Sequence, residues 1–297
     1  MTAAEHRTAG GAAPEKLVAV PVRHPGRWVS AVGVLVLLGL LVRAFAGSDI
    51  QWDTTRRFLT FDTIVAGAGK TLLISVVAQA LGIVLGVLFA VGRQSANPVT
   101  SSVSWLYIWF FRGTPVLLQL LIWYNLALVF PTILGKPTSD IMTPFAAALL
   151  GLGINEGAYM AEIVRAGLTS VDNGQTEAAQ ALGMTRGLVL RRIVLPQAMR
   201  VIVPPTGNEF VNMLKTSSLA YSIQYAELTR AATNISSSNL QIVELYLTVA
   251  VWYLVLTSAF SVVQFYVERR FARGSSRALP PTPWQRVRGN LRSGVRL

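Results

Sequence analysis

The 297-residue chain contains no cysteine. Disulfides, thiolate metal sites and cysteine nucleophiles are therefore excluded. Histidine is almost as scarce. The two present, His6 and His24, sit in a polar N-terminal stretch and leave no imidazole for the apolar body of the chain. No catalytic residue and no metal-ligating set is expected from such a composition. Charge is also sparse: 13% of residues are Asp, Glu, Lys or Arg, against about 25% in an ordinary soluble domain. With 52% hydrophobic residues, the shortage of charge excludes a soluble enzyme and points to an integral membrane protein.

Acidic residues are the scarcer sign, 14 against 26 Lys and Arg, for a net charge of +12. The excess is confined by position. Eight Arg lie between Arg269 and Arg296, and four Lys or Arg lie in the first 27 residues. A nucleic-acid-binding surface would interleave aromatic residues with a folded basic patch, which these tails lack. Basic flanks of membrane helices explain the bias, so no nucleic acid partner is expected.

Residues 1–27 read as a disordered cytoplasmic tail. Apolar segments long enough to cross a bilayer follow at about 28–46, 64–92, 103–130, 144–167, 194–223 and 241–267. The first has a rival reading as a cleaved secretory signal ending at Ala44-Phe45-Ala46. The long leader and the interruption by Arg43 favour a retained span. Residues 269–297 form a basic cytoplasmic tail. With both ends inside, the inner segments hold 17 Lys and Arg and the outer ones 5, which orients the chain with N- and C-termini in the cytoplasm.

Three details inside the spans need a physical account. Gly67-Ala68-Gly69-Lys70-Thr71 resembles a phosphate loop, but position 64 is Ile where that loop requires glycine and no strand precedes it. Nucleotide binding is rejected there, and the glycines are read as close helix packing. Phe111-Arg112-Gly113-Thr114-Pro115 must break a helix. Two readings fit it: an interfacial turn after a surface-lying helix over 101–111, which that stretch's Trp and Tyr content favours, or a bent helix lining a gate. Ionisable residues within the fourth and fifth spans are expensive in hydrocarbon and mark a functional path by default.

The stretch that organises the chain is Glu177–Pro196, which orientation places in the cytoplasm. Helices are expected over 173–192: Asp172 caps the first, with Gln175 placed to reach back, Gly183 ends it, and Thr185 caps an Arg-rich second. Ala178, Ala179 and Ala181 make the first helix thin enough to enter a groove. A plain connection between two spans needs only a handful of residues.

Glu177-Ala178-Ala179, Gly183 three residues later and Ile193, Leu195 and Pro196 after nine more resemble the EAA loop of ABC importer permeases. The sequences over 159–167, 111–115 and 214–219 are similar to the polar amino acid uptake subgroup, with the likeness covering about residues 60–268. The resemblance implies an all-α integral membrane fold: a five-helix type I importer permease core, plus one extra N-terminal transmembrane helix here. It implies a permease that moves polar amino acids across the bacterial cytoplasmic membrane. Its partners would be two cytosolic ABC ATPase subunits, a second permease (identical or paralogous), an extracytoplasmic amino acid-binding protein and the lipid bilayer. ATP and magnesium would bind the partners, with no cofactor on this chain. The ATPase-coupling residues are then Glu177, Ala178, Ala179, Gly183, Ile193, Leu195 and Pro196.

For an amino acid path the candidates are Asn155 and Glu156 in the fourth span and Glu209, Asn212, Lys215, Thr216 and Ser217 in the fifth. Glu209, Asn212 and Thr216 recur at three- and four-residue intervals and share a helix face. The alternative, in which Glu156, Glu209 and Lys215 pair with one another and hold the bundle, stays open at this point. Glu162 and Arg165 lie near a helix end, where a structural or docking role is expected. A permease for another small solute, or a secondary transporter, are the rival functions.

Overall fold

The computed structural model describes residues 25–271. The expected tails therefore lie outside the described residues, apart from 25–27 and 269–271, which are helical. The chain divides into two units at Ile50. In the first, helix α1 (Pro25–Ala46) carries apolar residues on all sides, and its side chains from Trp28 to Ala46 are exposed throughout. Such a helix is at home in lipid.

The second unit begins with a short amphipathic helix, α2 (Trp52–Leu59), fastened by the Trp252 indole N–H to the Leu59 carbonyl at 3.0 Å. The 32-residue α3 (Asp62–Arg93) follows, then α4 (Pro98–Gly113) and α5 (Val116–Tyr124). A two-residue antiparallel pair, β1 (Thr132–Ile133) and β2 (Lys136–Pro137), pairs Thr132 with Pro137 and leads into α6 (Thr138–Ile141). Helix α7 (Pro144–Thr169) enters the bundle behind a Thr143 cap. The loop after it holds α8 (Asn173–Ala181) and α9 (Arg186–Val189), joined through a π turn at Leu190–Val194 to α10 (Leu195–Thr216). A 3-10 segment (Ser217–Ile223), α11 (Leu228–Asn239) and α12 (Ile242–Phe271) complete the fold.

Helices α3 and α7 form the central seam. A Cβ built on Gly82 would come within 2.5 Å of the Glu156 Cγ, so only glycine lets the two backbones approach there. Three buried clusters run along the bundle, around Leu120 and Leu152, around Ile64 and Leu228, and around Met160 and Ala198.

Among the described residues, three helices are long and apolar enough to cross a membrane: Trp28–Ala46, Asp62–Arg93 and Ile242–Phe271. The α4–α5 pair adds a fourth if counted as one broken span. Helices α7 and α10 have the length, 26 and 22 residues, but less apolar character. Their polar residues face one another's side of the bundle instead of lipid, as described below.

The α4–α5 pair bears on both readings of the break over 111–115. Its two halves bend by 102° at the Thr114-Pro115 break. The Asn155 side chain, midway along α7, bonds the Phe111 carbonyl, and Tyr107 donates its hydroxyl to the Ile154 carbonyl at 2.6 Å. The break therefore packs against the middle of α7. Of the aromatic residues of α4, Tyr107 stacks on Phe89 of α3, whereas Trp105, Trp109 and Phe110 are exposed.

The segment Gly67–Thr71 is a helix-packing site. A Cβ on Gly67 would meet Ala231 and Leu228 of α11 at 3.0 Å, although Gly69 faces open space. The Thr71 hydroxyl accepts from the Leu228 N–H at 3.1 Å and reaches Glu227 at 3.4 Å.

Candidate functional site

A cavity of about 630 Å³ opens between α5, α7, α10 and the 3-10 segment after it. Its polar lining comes from two helices. Helix α7 contributes Asn155, Glu156 and, one turn on, Tyr159; α10 contributes Glu209, Asn212, Lys215 and Thr216. Six of the seven expected path residues thus meet at one cavity. Ser217 does not: it is fully buried, and its hydroxyl donates to the Leu214 carbonyl at 2.8 Å. The reason is the change from α-helix to 3-10 turn at that residue, which brings Ser218 to the cavity in its place. Tyr159 and Ser218 lie within stretches already singled out by resemblance, and Tyr159 follows from Asn155 by helical spacing.

Among the described residues, no ion pair joins Lys215 to Glu156 or Glu209. The cavity therefore presents two carboxyl groups, one amine, the Asn212 amide and the hydroxyls of Tyr159, Thr216 and Ser218, none consumed by mutual pairing. Asn155 and Glu156 are buried and held from behind. The Asn155 amide donates to the Phe111 carbonyl at 2.7 Å, and the Gln79 amide on α3 donates to Glu156 Oε1 at 3.1 Å. Gln79 went unnoticed in the sequence; its signal is a lone amide amid the apolar residues of α3.

A second buried carboxyl group was also missed. Glu227 caps α11, accepting from the N–H groups of Thr229 at 2.9 Å and Arg230 at 2.8 Å and from the Tyr253 hydroxyl at 2.9 Å. Burial pushes its pKa above the ordinary carboxylate value, while these hydrogen bonds pull it back. Its place, away from the cavity, is a three-way tie among α3, α11 and α12.

The loop that joins the two cavity helices is itself helical. Asp172 caps α8 through the Gly174 N–H at 2.7 Å. Helix α8 closes in a Schellman arrangement: Met184 N–H bonds the Ala179 carbonyl at 3.1 Å and Gly183 N–H the Gln180 carbonyl at 2.9 Å. Gly183 sits at φ +81°, in the left-handed region that favours glycine. Ala179 is buried, whereas Glu177, Ala178 and Leu182 face solvent, Leu182 at 84% exposure.

Two capping expectations change. Gln175 makes no capping box; its Oε1 accepts from the Gln197 amide at 3.0 Å, which ties α8 to the start of α10. Thr185 occupies the cap position of α9 without a side-chain bond. Pro196 stands at a helix start, where its missing N–H costs little. It sits in the first turn of α10, and the missing N–H opens the preceding turn into π geometry, with Leu195 N–H bonded to the Leu190 carbonyl. Ile193 lies half-buried in that turn and Leu195 is exposed.

A polar cavity walled by two helices, with an exposed helical loop between them, suits a membrane transport subunit. The chain belongs to the family described as binding-protein-dependent transport system inner membrane component, which matches residues 82–273. It is 46% identical over 279 residues to the arginine transport system permease protein ArgU of Corynebacterium glutamicum, covering 91% of this chain and 88% of that one. It is 35% identical to the glutamine transport system permease protein GlnP of Escherichia coli, covering 74% and 98%. Among solved structures, an amino acid ABC transporter matches with TM-score 0.64 at 38% identity, covering 70% of this chain and 94% of that chain. The MetNI methionine transporter, at 21% identity and TM-score 0.59, shares the fold. The protein is an integral membrane permease subunit of an ATP-driven importer of polar amino acids, in a family that works with ATPase and binding-protein partners. That membership sets the secondary transporter aside.

Proposed function

We propose that the α7–α10 cavity is the passage site for the amino acid and that α8 is the lever through which ATP hydrolysis on partner subunits opens and closes it. The observation that carries this reading is the convergence of Glu156, Glu209, Asn212, Lys215 and Thr216 on one cavity whose two walls are joined through α8. The carboxyl groups of Glu156 and Glu209 suit an ammonium group. Lys215 and the hydroxyls of Thr216 and Ser218 suit a carboxylate. Two acidic groups against one amine favour an amino acid with a cationic side chain, and a relative sharing nearly half its residues is named for arginine.

In this reading two cytosolic ATPases grip the exposed Glu177–Leu182 side of α8, and a second permease, identical or paralogous, closes the open side of the cavity. ATP and magnesium bind the ATPases. The termini are cytoplasmic, which puts α8 on the ATPase side. Because α8 is tied to α10 through Gln175 and Gln197, and to α7 by the short link from Thr169 to Asp172, its displacement swings both cavity walls. Asn155 acts at one remove, holding the helix break that borders the cavity.

Uptake by the assembled importer with Glu209→Gln, Asn212→Ala and Lys215→Met measures the proposal. Apparent affinity for a basic amino acid is expected to fall by about tenfold or more for Glu209→Gln, the cost of one lost charged hydrogen bond. Unchanged affinity in all three variants would remove the cavity from the path.

A further inference from the structure

A second opening lies on the other side of Tyr159, where the end of α3, the first half of α4 and the C-terminal half of α7 meet. It consists of three adjoining clefts of about 460, 440 and 260 Å³, all bordered by Arg93 and Trp105. Arg93 Nη1 donates to the Ser101 hydroxyl at 3.0 Å, and that hydroxyl donates to the Arg93 carbonyl at 3.1 Å. This brace fixes the guanidinium while leaving most of its N–H donors unspent. Across the largest cleft, Arg165 is bound to Glu162 through Nε at 3.1 Å and Nη2 at 2.6 Å, both to one carboxylate oxygen. Two guanidinium groups against one carboxylate leave that cleft one positive charge in excess.

The outer side of the three clefts is apolar: Trp105 lines all of them and Trp109 the one of about 440 Å³. Trp105 and Trp109, 50% and 59% exposed, stack with ring centroids 6.0 Å apart, and Val103 and Leu106 beside them are also exposed. Tryptophan pairs of this kind sit at the level of lipid headgroups. A soluble anion has no use for that apolar flank. A phospholipid uses both parts, placing its phosphodiester among the guanidinium groups and its chains along α4.

We propose that this cleft is a binding site for an anionic phospholipid of the cytoplasmic leaflet, with Arg93 and Arg165 holding the phosphodiester and Trp105 and Trp109 the glycerol and upper chain. The leaflet follows from the proposed orientation, since the Arg93–Ser102 connection lies on the cytoplasmic side. Binding is independent of the amino acid path and of the lever.

The test is native mass spectrometry of the assembled importer, purified in mild detergent from membranes or exchanged into nanodiscs of phosphatidylcholine with and without phosphatidylglycerol. The complex is expected to retain phosphatidylglycerol over phosphatidylcholine. Arg93→Gln and Arg165→Gln should each weaken retention about fivefold, the effect of one basic residue near an anionic lipid surface. Arg93→Lys should restore most of it. Glu162→Gln, which raises the positive charge, should strengthen retention. The proposal is overturned if both arginine variants retain lipid like the parent, or if Glu162→Gln loses lipid as Arg165→Gln does, which would make the pair a structural clamp. Equal retention of phosphatidylcholine, or displacement of the lipid by inorganic phosphate, overturns it as well.

Discussion

The side-chain amide of Asn155 on α7 donates a 2.7 Å hydrogen bond to the backbone carbonyl of Phe111 on α4. In a continuous helix that carbonyl would accept from the N–H of residue 115, which is proline and has none. Asn155, with the Gln119 amide at 3.1 Å, replaces the lost helical bond. The bend between α4 and α5 is thereby tied to the helix that walls the cavity.

Replacing Asn155 with Leu leaves a buried carbonyl with one partner fewer, a loss of about 1–3 kcal/mol. A lower thermal midpoint of the purified complex, with reduced uptake, is expected. Asn155→Asp should be worse, because a carboxylate cannot donate to the carbonyl. Equal midpoints for parent and both variants would show that Gln119 alone holds the bend.

Gly183→Asp places a Cβ at φ +81°, a strain of roughly 1–2 kcal/mol at the end of α8. Little packs against this position, so membrane insertion is expected to survive. Uptake and substrate-stimulated ATP hydrolysis in the reconstituted complex should both drop. Full activity of the variant would mean that the shape of the α8 terminus is not what the ATPase reads.

Gly82→Val forces α3 away from α7, since the added Cβ alone would lie 2.5 Å from the Glu156 Cγ. Overpacking of this kind costs about 1–3 kcal/mol, and the shift would also disturb the Gln79–Glu156 bond. The expected result is a lower midpoint together with weaker substrate affinity, read by thermal unfolding and uptake. A loss of stability with unaltered affinity would separate the seam from the cavity.

Glu227 supplies a pH prediction. Burial, the largest influence, holds its folded pKa above the ordinary carboxylate value. Between the two values the folded protein binds more protons than the unfolded chain, so its stability falls as pH rises through the folded value. Glu227→Gln removes this titration. The difference in thermal midpoint between parent and variant should therefore change with pH in that window and be flat well below it. A constant difference would show that Glu227 does not titrate there.

Much of the fold was legible because its signals are local. Each apolar run satisfies its backbone within itself as a helix, which is why α3, α7 and α12 begin and end within a few residues of where hydropathy places them. The helical spacing of Glu209, Asn212 and Thr216 gave the polar face of α10 for the same reason. The switch to 3-10 winding at Ser217 carries no such mark, so the sequence does not show that Ser218 and not Ser217 reaches the cavity. Gln175 likewise reads as a capping-box partner from its own neighbours, yet it bonds Gln197, 22 residues away.

By itself the sequence determined the class of the protein, the helical loop between the fourth and fifth spans and the polar residue types those spans carry. These follow from hydrophobicity, charge bias and the turn chemistry of Asp172 and Gly183, all properties of short stretches. Only the tertiary structure decided that the break at Pro115 packs against α7, that Gly67–Thr71 seats α11, and that the polar residues of α7 and α10 share one cavity. Those outcomes depend on which backbones approach closely and which distant side chain supplies a missing hydrogen bond, and neither is encoded within a single helix.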